Sequence, residues 1–260
     1  MKRSLAFAAS LILALSNGSE AQTSASSEDR FAPVPFGIGE RATYRVVLGI
    51  VGDRGQATLD VVDLDTVQGR PAYELRFRLQ GGIPFARVDD DYHSWLDAYS
   101  LVSRRFKQDQ KEVRYERKRF FEFFPEEKRY RRLDANETGT LPTDEPLDDI
   151  SFIYFIRTLP LEVGKTYTFN RYFKEEGNPV TVRVLRRETI TVPAGRFNTI
   201  VVQPIIKTKG LFSEGGRAEV YFTDDSRRIL VALKTQVKIL KSLDMLLQSY
   251  SPGERLAASQ

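Results

Sequence analysis

The sequence predicts a mainly β protein: a curved antiparallel sheet (β-roll, half-barrel or barrel) of about a dozen strands with one buried central helix. Three observations predict it. Apolar and polar residues alternate with a period of two through most of the chain, as half-buried strands require. Gly-, Pro- and Asp-rich turn signals recur at intervals of roughly 8–12 residues. Only the stretch 148–160 breaks this pattern, with Phe152, Phe155, Ile156 and Leu159 at the i, i+3, i+4, i+7 spacing of one helical face.

At the N-terminus, Lys2-Arg3, the apolar run Leu5–Leu15 and the small residues of Ser19-Glu20-Ala21 form the pattern of a secretory signal peptide, residues 1–21. The run is too short for a membrane span, which needs about 20 apolar residues. A Ser-rich polar leader follows over 22–35 and reads as flexible. A single β-rich domain is expected over 36–250, with a frayed tail at 251–260.

Tyr44, Val46, Leu48 and Ile50 mark the first strand, and Gly52-Asp53-Arg54-Gly55 its turn. Ala57, Leu59 and Val61 mark the return, and Gln68-Gly69-Arg70 turns into Tyr73, Leu75, Phe77 and Leu79, ended by Gly81-Gly82-Ile83-Pro84. Further strands are expected over 88–95, 101–108, 113–124 and 128–133, with a loop over 134–147. Asp148 sits where it can cap the helix, and Pro160 ends it because its ring cannot continue the turn. Beyond Gly164, alternation runs through Tyr167–Phe173, Val180–Val184 and Ile190–Val192. Val192-Pro193-Ala194-Gly195 fits a three-residue hairpin, with Pro193 presetting the turn and Gly195 taking the positive-φ place. Phe197–Ile205, Ala218–Phe222 and Ile229–Leu243 follow, with a turn at 223–228, and 245–250 extends the last strand or starts a short helix.

Across 260 residues there is no Cys and one His, and the formal charge is +4. Disulfides, thiolate metal sites, Cys nucleophiles and the lipid-acceptor Cys of a lipoprotein are thereby excluded, so the mature chain is expected to be soluble. The charge is too small to indicate nucleic acid.

The run Asp148-x-Ile150-Ser151-x-x-Tyr154-x-x-Arg157, then Leu161-Glu162-Val163-Gly164-Lys165, Val192-Pro193-Ala194-Gly195-Arg196-Phe197 and Thr223-Asp224-Asp225-x-Arg227-Arg228, resembles the domain of unknown function (DUF) 3108 family. The opening Gly39-Glu40-Arg41-x-x-Tyr44 and the Tyr92-His93-Ser94-Trp95 region agree, so the resemblance spans about residues 36–250. It implies a secreted bacterial protein and supplies no catalytic residue.

Four groups of residues invite a functional reading. His93 follows Asp89-Asp90-Asp91, but one His with carboxylates is a poor zinc set, and no Gly-x-Ser-x-Gly is present to hold a nucleophile. No catalytic residue, metal or cofactor is expected. Arg114, Arg117, Arg119, Arg129 and Arg131, interleaved with aromatics, form a candidate patch for an anionic envelope component. The bland alternative is a basic solvated hairpin paired with the acidic 134–149 loop. Asp224 and Asp225, with Pro193 and Gly195, read as turn formers. Ser151, Tyr154, Phe155 and Arg157 are candidate ligand-binding residues, with Arg157 as anchor for a carboxylate or phosphate. The expectation is an exported, periplasmic, non-enzymatic binder or carrier of an apolar or lipid-like ligand. The alternative is an envelope interaction protein docking through the basic strand pair, and a hydrolase ranks third.

Overall fold

A computed structural model describes residues 30–83, 86–112, 115–207, 218–237 and 241–256. Among the described residues its strands form one antiparallel sheet of fourteen, in keeping with the dozen or so expected from sequence. In chain order they are β1 (Arg41–Leu48), β2 (Gly52–Val67), β3 (Arg70–Ile83), β4 (Ala86–Asp97), β5 (Ser103–Glu112), β6 (Tyr115–Phe124), β7 (Arg129–Arg132) and β8 (Glu137–Thr140). After the helix α1 (Ser151–Ile156) come β9 (Thr166–Phe169), β10 (Val180–Val192), β11 (Gly195–Ile205), β12 (Glu219–Thr223), β13 (Leu230–Val237) and β14 (Lys241–Ser251). The spatial order is β8-β7-β6-β5-β4-β3-β2-β1-β14-β13-β12-β11-β10-β9.

That order is a meander that starts in its own middle. The chain runs outward from β1 to one edge at β8, crosses to the opposite edge at β9, and returns to lay β14 beside β1. Register shifts leave single extra residues at Arg54 and Val62 in β2, Arg104 in β5, Leu185 in β10, Val231 in β13 and Gln248 in β14, which bend strands and strengthen the local twist. The sheet therefore curves without closing, and its inner face and α1 share one hydrophobic core.

The crossover fills the gap between the edges. Leu141 donates its N–H to the Lys128 carbonyl, and Ser103 donates to that of Pro146, fixing the crossover to the first half. Leu147 N–H donates to Arg171, and Phe173 N–H to Leu147, fixing it to the second. The Arg171 guanidinium donates to the carbonyls of both Glu145 and Leu101. Phe173, just beyond β9, packs its ring 5.3 Å from Phe121 and 5.5 Å from Phe123 on β6.

Several element boundaries differ from the sequence expectation. The helix is six residues rather than the whole of 148–160, and the N–H groups of Arg157, Thr158 and Leu159 bond three residues back, in the tighter manner of a fraying end. The first turn lies at Gly49–Val51, so Gly52–Gly55 belongs to β2, where Gly55 and Gly81 pass with no room for a Cβ. The expected loop 134–147 contains β8, and the strand read over Tyr167–Phe173 stops at Phe169 because Leu147 takes up the backbone beyond it. The Pro193-Ala194 hairpin is tighter than expected, with Val192 paired to Gly195. The segment 245–250 is strand.

Order extends beyond both expected limits of the domain. Phe31 stacks on Tyr99, and Ala32 N–H donates to Ala98, so the end of the leader packs. Glu254 bridges Ile38 where the tail was expected to fray, and the two segments cross so closely that a Cβ on Gly37 would strike the Glu254 backbone and one on Gly253 the Gly37 carbonyl. The signal-peptide residues and Arg114 lie outside the described residues.

Candidate functional site

All six residues of α1 are buried, and three polar arrangements hold it. The first is at its start. Asp148 Oδ1 accepts the N–H groups of Ile150 and Ser151, and its Oδ2 accepts the hydroxyls of Ser94 on β4, at 2.6 Å, and Ser103 on β5, at 2.8 Å. Ser103 and Ser151 share a further hydrogen bond of 2.7 Å. Asp148 has the capping role expected of it, and it also pins the helix to two strands. Burial without a cation pushes its carboxyl up to about 6, against the hydrogen bonds that favour the charge.

The second arrangement is at the helix end. The Arg157 guanidinium grips the Glu40 carboxylate through bonds of 2.6 and 3.0 Å and donates to the Arg227 carbonyl. Tyr250 donates its hydroxyl to the same carboxylate, and the Arg157 charge sits 5.3 Å from the rings of Phe36 and Tyr154. Two polar atoms of this buried cluster have no hydrogen-bond partner: the Tyr154 hydroxyl and Arg157 Nε. Burial holds the Tyr154 phenol well above its ordinary range, so it remains neutral.

The third is lateral. Phe155 packs edge-on to Phe169 at 5.2 Å, with the Arg171 guanidinium 4.4 Å from its ring centre. The four sequence candidates thus serve different neighbours: Ser151 the Asp148 cluster, Tyr154 and Arg157 the Glu40 cluster, and Phe155 the β9 edge. They do not line one ligand wall.

Arg157 does border a cleft. It is about 400 Å³ in volume, more open than enclosed, and lies where the segments before β1 and after β14 cross the helix end. Phe31, Pro33, Val34 and Leu256 supply an apolar wall, and Thr158 and Ser226 supply hydroxyls. Ala32 and Pro35 and the cations Arg157, Arg228 and Arg255 complete the lining, which among the described residues contains no carboxylate. Sequence reasoning missed it because its wall comes from the stretch read as leader, and its cations come from three distant segments.

The basic patch is divided by the pleat. On β6, Arg117 and Arg119 share the face of buried Phe121 and Phe123 and turn inward, opposite Gln110 and Gln108 of β5. There, burial and the neighbouring Arg119 charge lower the Arg117 pKa, and burial likewise lowers that of Lys174. Arg129 and Arg131 pair with Phe124 and Glu122 on the opposite face, and Arg129 lies 4.2 Å over the Phe124 ring. Acidic neighbours meet part of this region, through Arg129–Glu127, Lys128–Asp144 and the pair of acids on Arg132.

The remaining candidates have structural surroundings. His93 bonds Glu74 at 2.7 Å and stacks on Trp95, in a row of cross-strand pairs that includes Arg76–Asp91 and Arg105–Glu122. Asp225 accepts the Arg227 N–H and the Thr223 hydroxyl within its turn, while Asp224 pairs with Arg187 and Arg228. Among the described residues no cluster of three His, Cys, Asp or Glu is placed to hold a metal ion, and no helix is long and apolar enough to cross a membrane.

Residues 42–248 match the family model of a protein of unknown function, DUF3108. No curated protein matches the sequence. Two solved structures align along most of the chain. One is a presumed exported protein with a YmcC-like fold from Bacteroides fragilis, 12% identical over 85% of this chain and 99% of its own, with a TM-score of 0.29. The other is a presumed lipoprotein from Parabacteroides distasonis, 12% identical over 84% of this chain and 98% of its own, with a TM-score of 0.31.

Proposed function

The chain belongs to the DUF3108 family of proteins of unknown function, and from that premise we propose that it is an exported, periplasmic, non-enzymatic binder or carrier of a small apolar or lipid-like ligand. The observation that carries this reading is the cleft at the helix end. Its volume of about 400 Å³ lies within the range of small-molecule sites, and Phe31, Val34 and Leu256 offer an apolar wall beside a few polar groups. Export rests on the basic, apolar and small-residue order of residues 1–21. Among the described residues the cleft lining holds arginines and hydroxyls with no histidine or carboxylate beside them to activate a nucleophile.

Docking through the basic strand pair is the weaker reading, since Arg117 and Arg119 occupy one face of the sheet and Arg129 and Arg131 the other. The test is native mass spectrometry of protein released from the periplasm of a bacterial host without detergent. A mass above the bare polypeptide is expected, with the excess lost in a Val34→Asp variant that places a charge on the apolar wall. A bare polypeptide that also takes up no added lipid would overturn the proposal.

A further inference from the structure

The cleft lining is asymmetric in charge, and this says what kind of head group its ligand carries. Three guanidiniums border it, and their partners differ. Arg157 is matched by the Glu40 carboxylate in a two-bond grip. Arg228 lies 3.4 Å from Asp224, a carboxylate that also serves Arg187 at 2.8 Å. Arg255 has only a carbonyl, that of Pro35, and no carboxylate within ion-pair distance among the described residues. The lining itself contributes no acid.

We propose that the cleft binds an amphiphile with a single carboxylate head, which Arg255 and Arg228 hold while the apolar body lies along Phe31, Val34 and Leu256. This rests on the binder reading above and deepens it. Charged hydrogen bonds from arginine to a carboxylate are stronger than neutral ones, and an arginine fork can meet both oxygens. Of the three, Arg255 is the one with no carboxylate among the described residues, so a single negative charge gives it a partner, and Arg228, which shares Asp224 with Arg187, adds a second donor. A phosphate monoester would bring nearly two at neutral pH. The Ser226 hydroxyl borders the same space and can donate to the head, whereas that of Thr158 already donates to the Phe155 carbonyl. Arg157 acts through position alone, because its charge is already paired and its place fixes the floor of the cleft.

The test is calorimetric titration of the purified, exported chain with decanoate, 1-decanol, decyl phosphate and acetate. Decanoate should bind, 1-decanol at least tenfold more weakly, and acetate not measurably. Arg255→Gln, at an exposed position, should reduce decanoate affinity about tenfold, to the level of the alcohol, with no change in melting temperature. Arg129→Gln, on the outer face of β7, should change nothing. Equal binding of 1-decanol and decanoate would overturn the carboxylate head and leave the carrier reading standing. Absence of binding by every decyl compound would overturn both. Acetate binding as tightly as decanoate would remove the apolar body, and tighter binding of decyl phosphate would replace the carboxylate. An unchanged decanoate affinity in Arg255→Gln would remove that residue from the site.

Discussion

Among single residues, Asp148 and Glu40 show opposite ways of burying a carboxylate. Asp148 has hydrogen bonds but no cation, so its folded-state pKa is raised to about 6 from an ordinary value near 4. Below pH 4 both folded and unfolded states are protonated at this residue. As pH rises from about 4 to 6 the unfolded chain ionises first, so stability falls across that window, by about 3 kcal/mol, and is flat above it. Asp148→Asn keeps an oxygen for the Ile150 and Ser151 amides and removes the titration. The wild-type minus variant difference in urea-unfolding free energy should therefore decline between pH 4 and 6, and a constant difference would refute the assignment. Glu40 is instead paired, and Glu40→Gln strands the Arg157 charge inside the protein. The expected loss is about 3–5 kcal/mol by urea unfolding, and the double replacement Glu40→Leu with Arg157→Met should cost much less.

At the scale of elements, the helix is set by its surroundings more than by its own length. Six residues are too few for a helix to persist in isolation. What holds it is an apolar surface on nearly every side, with Phe152 and Ile156 almost wholly enclosed. Phe152→Ala should cost about 3–5 kcal/mol, read from the urea midpoint at constant slope. The crossover is a second element whose role lies in its bonds. Arg171→Met removes the links to Glu145 and Leu101 while keeping the length of the apolar stem. Hydrogen exchange should then quicken at Leu147 and Phe173 together, while the β1–β14 pairing stays protected. Equal acceleration in both regions would mean that the crossover is not an independent unit.

For the whole molecule, placing β1 at the centre of the sheet has a consequence for the site. The segments before β1 and after β14 leave the seam between those strands side by side, cross near Gly37 and Gly253, and run over the helix end. The cleft is built from that crossing, with Phe31–Pro35 from one segment and Arg255-Leu256 from the other. Gly253→Ala should disturb it directly, because the new Cβ would lie 2.1 Å from the Gly37 carbonyl oxygen. The expected outcome is a lowered melting temperature together with weaker decanoate binding. Wild-type values for both would place the crossing outside the site.

The β class, the buried helix, its capping Asp148 and the positions of the turns near Pro193 and Asp224 were legible in the sequence, though not the two-residue length of the first hairpin. These follow from local rules: period, cap chemistry and turn stereochemistry act over a few neighbouring residues. In the basic hairpin, charge density alone suggested a single patch, and the register of Phe121 and Phe123 was needed to divide it. Only the tertiary structure decided that β14 pairs with β1, that the crossover fastens two edges, and that Arg157, Arg228 and Arg255 share a cleft. Those three arginines come from separate segments, and no local periodicity encodes which ends of a curved sheet meet. That outcome depends on how the whole inner face closes over its core.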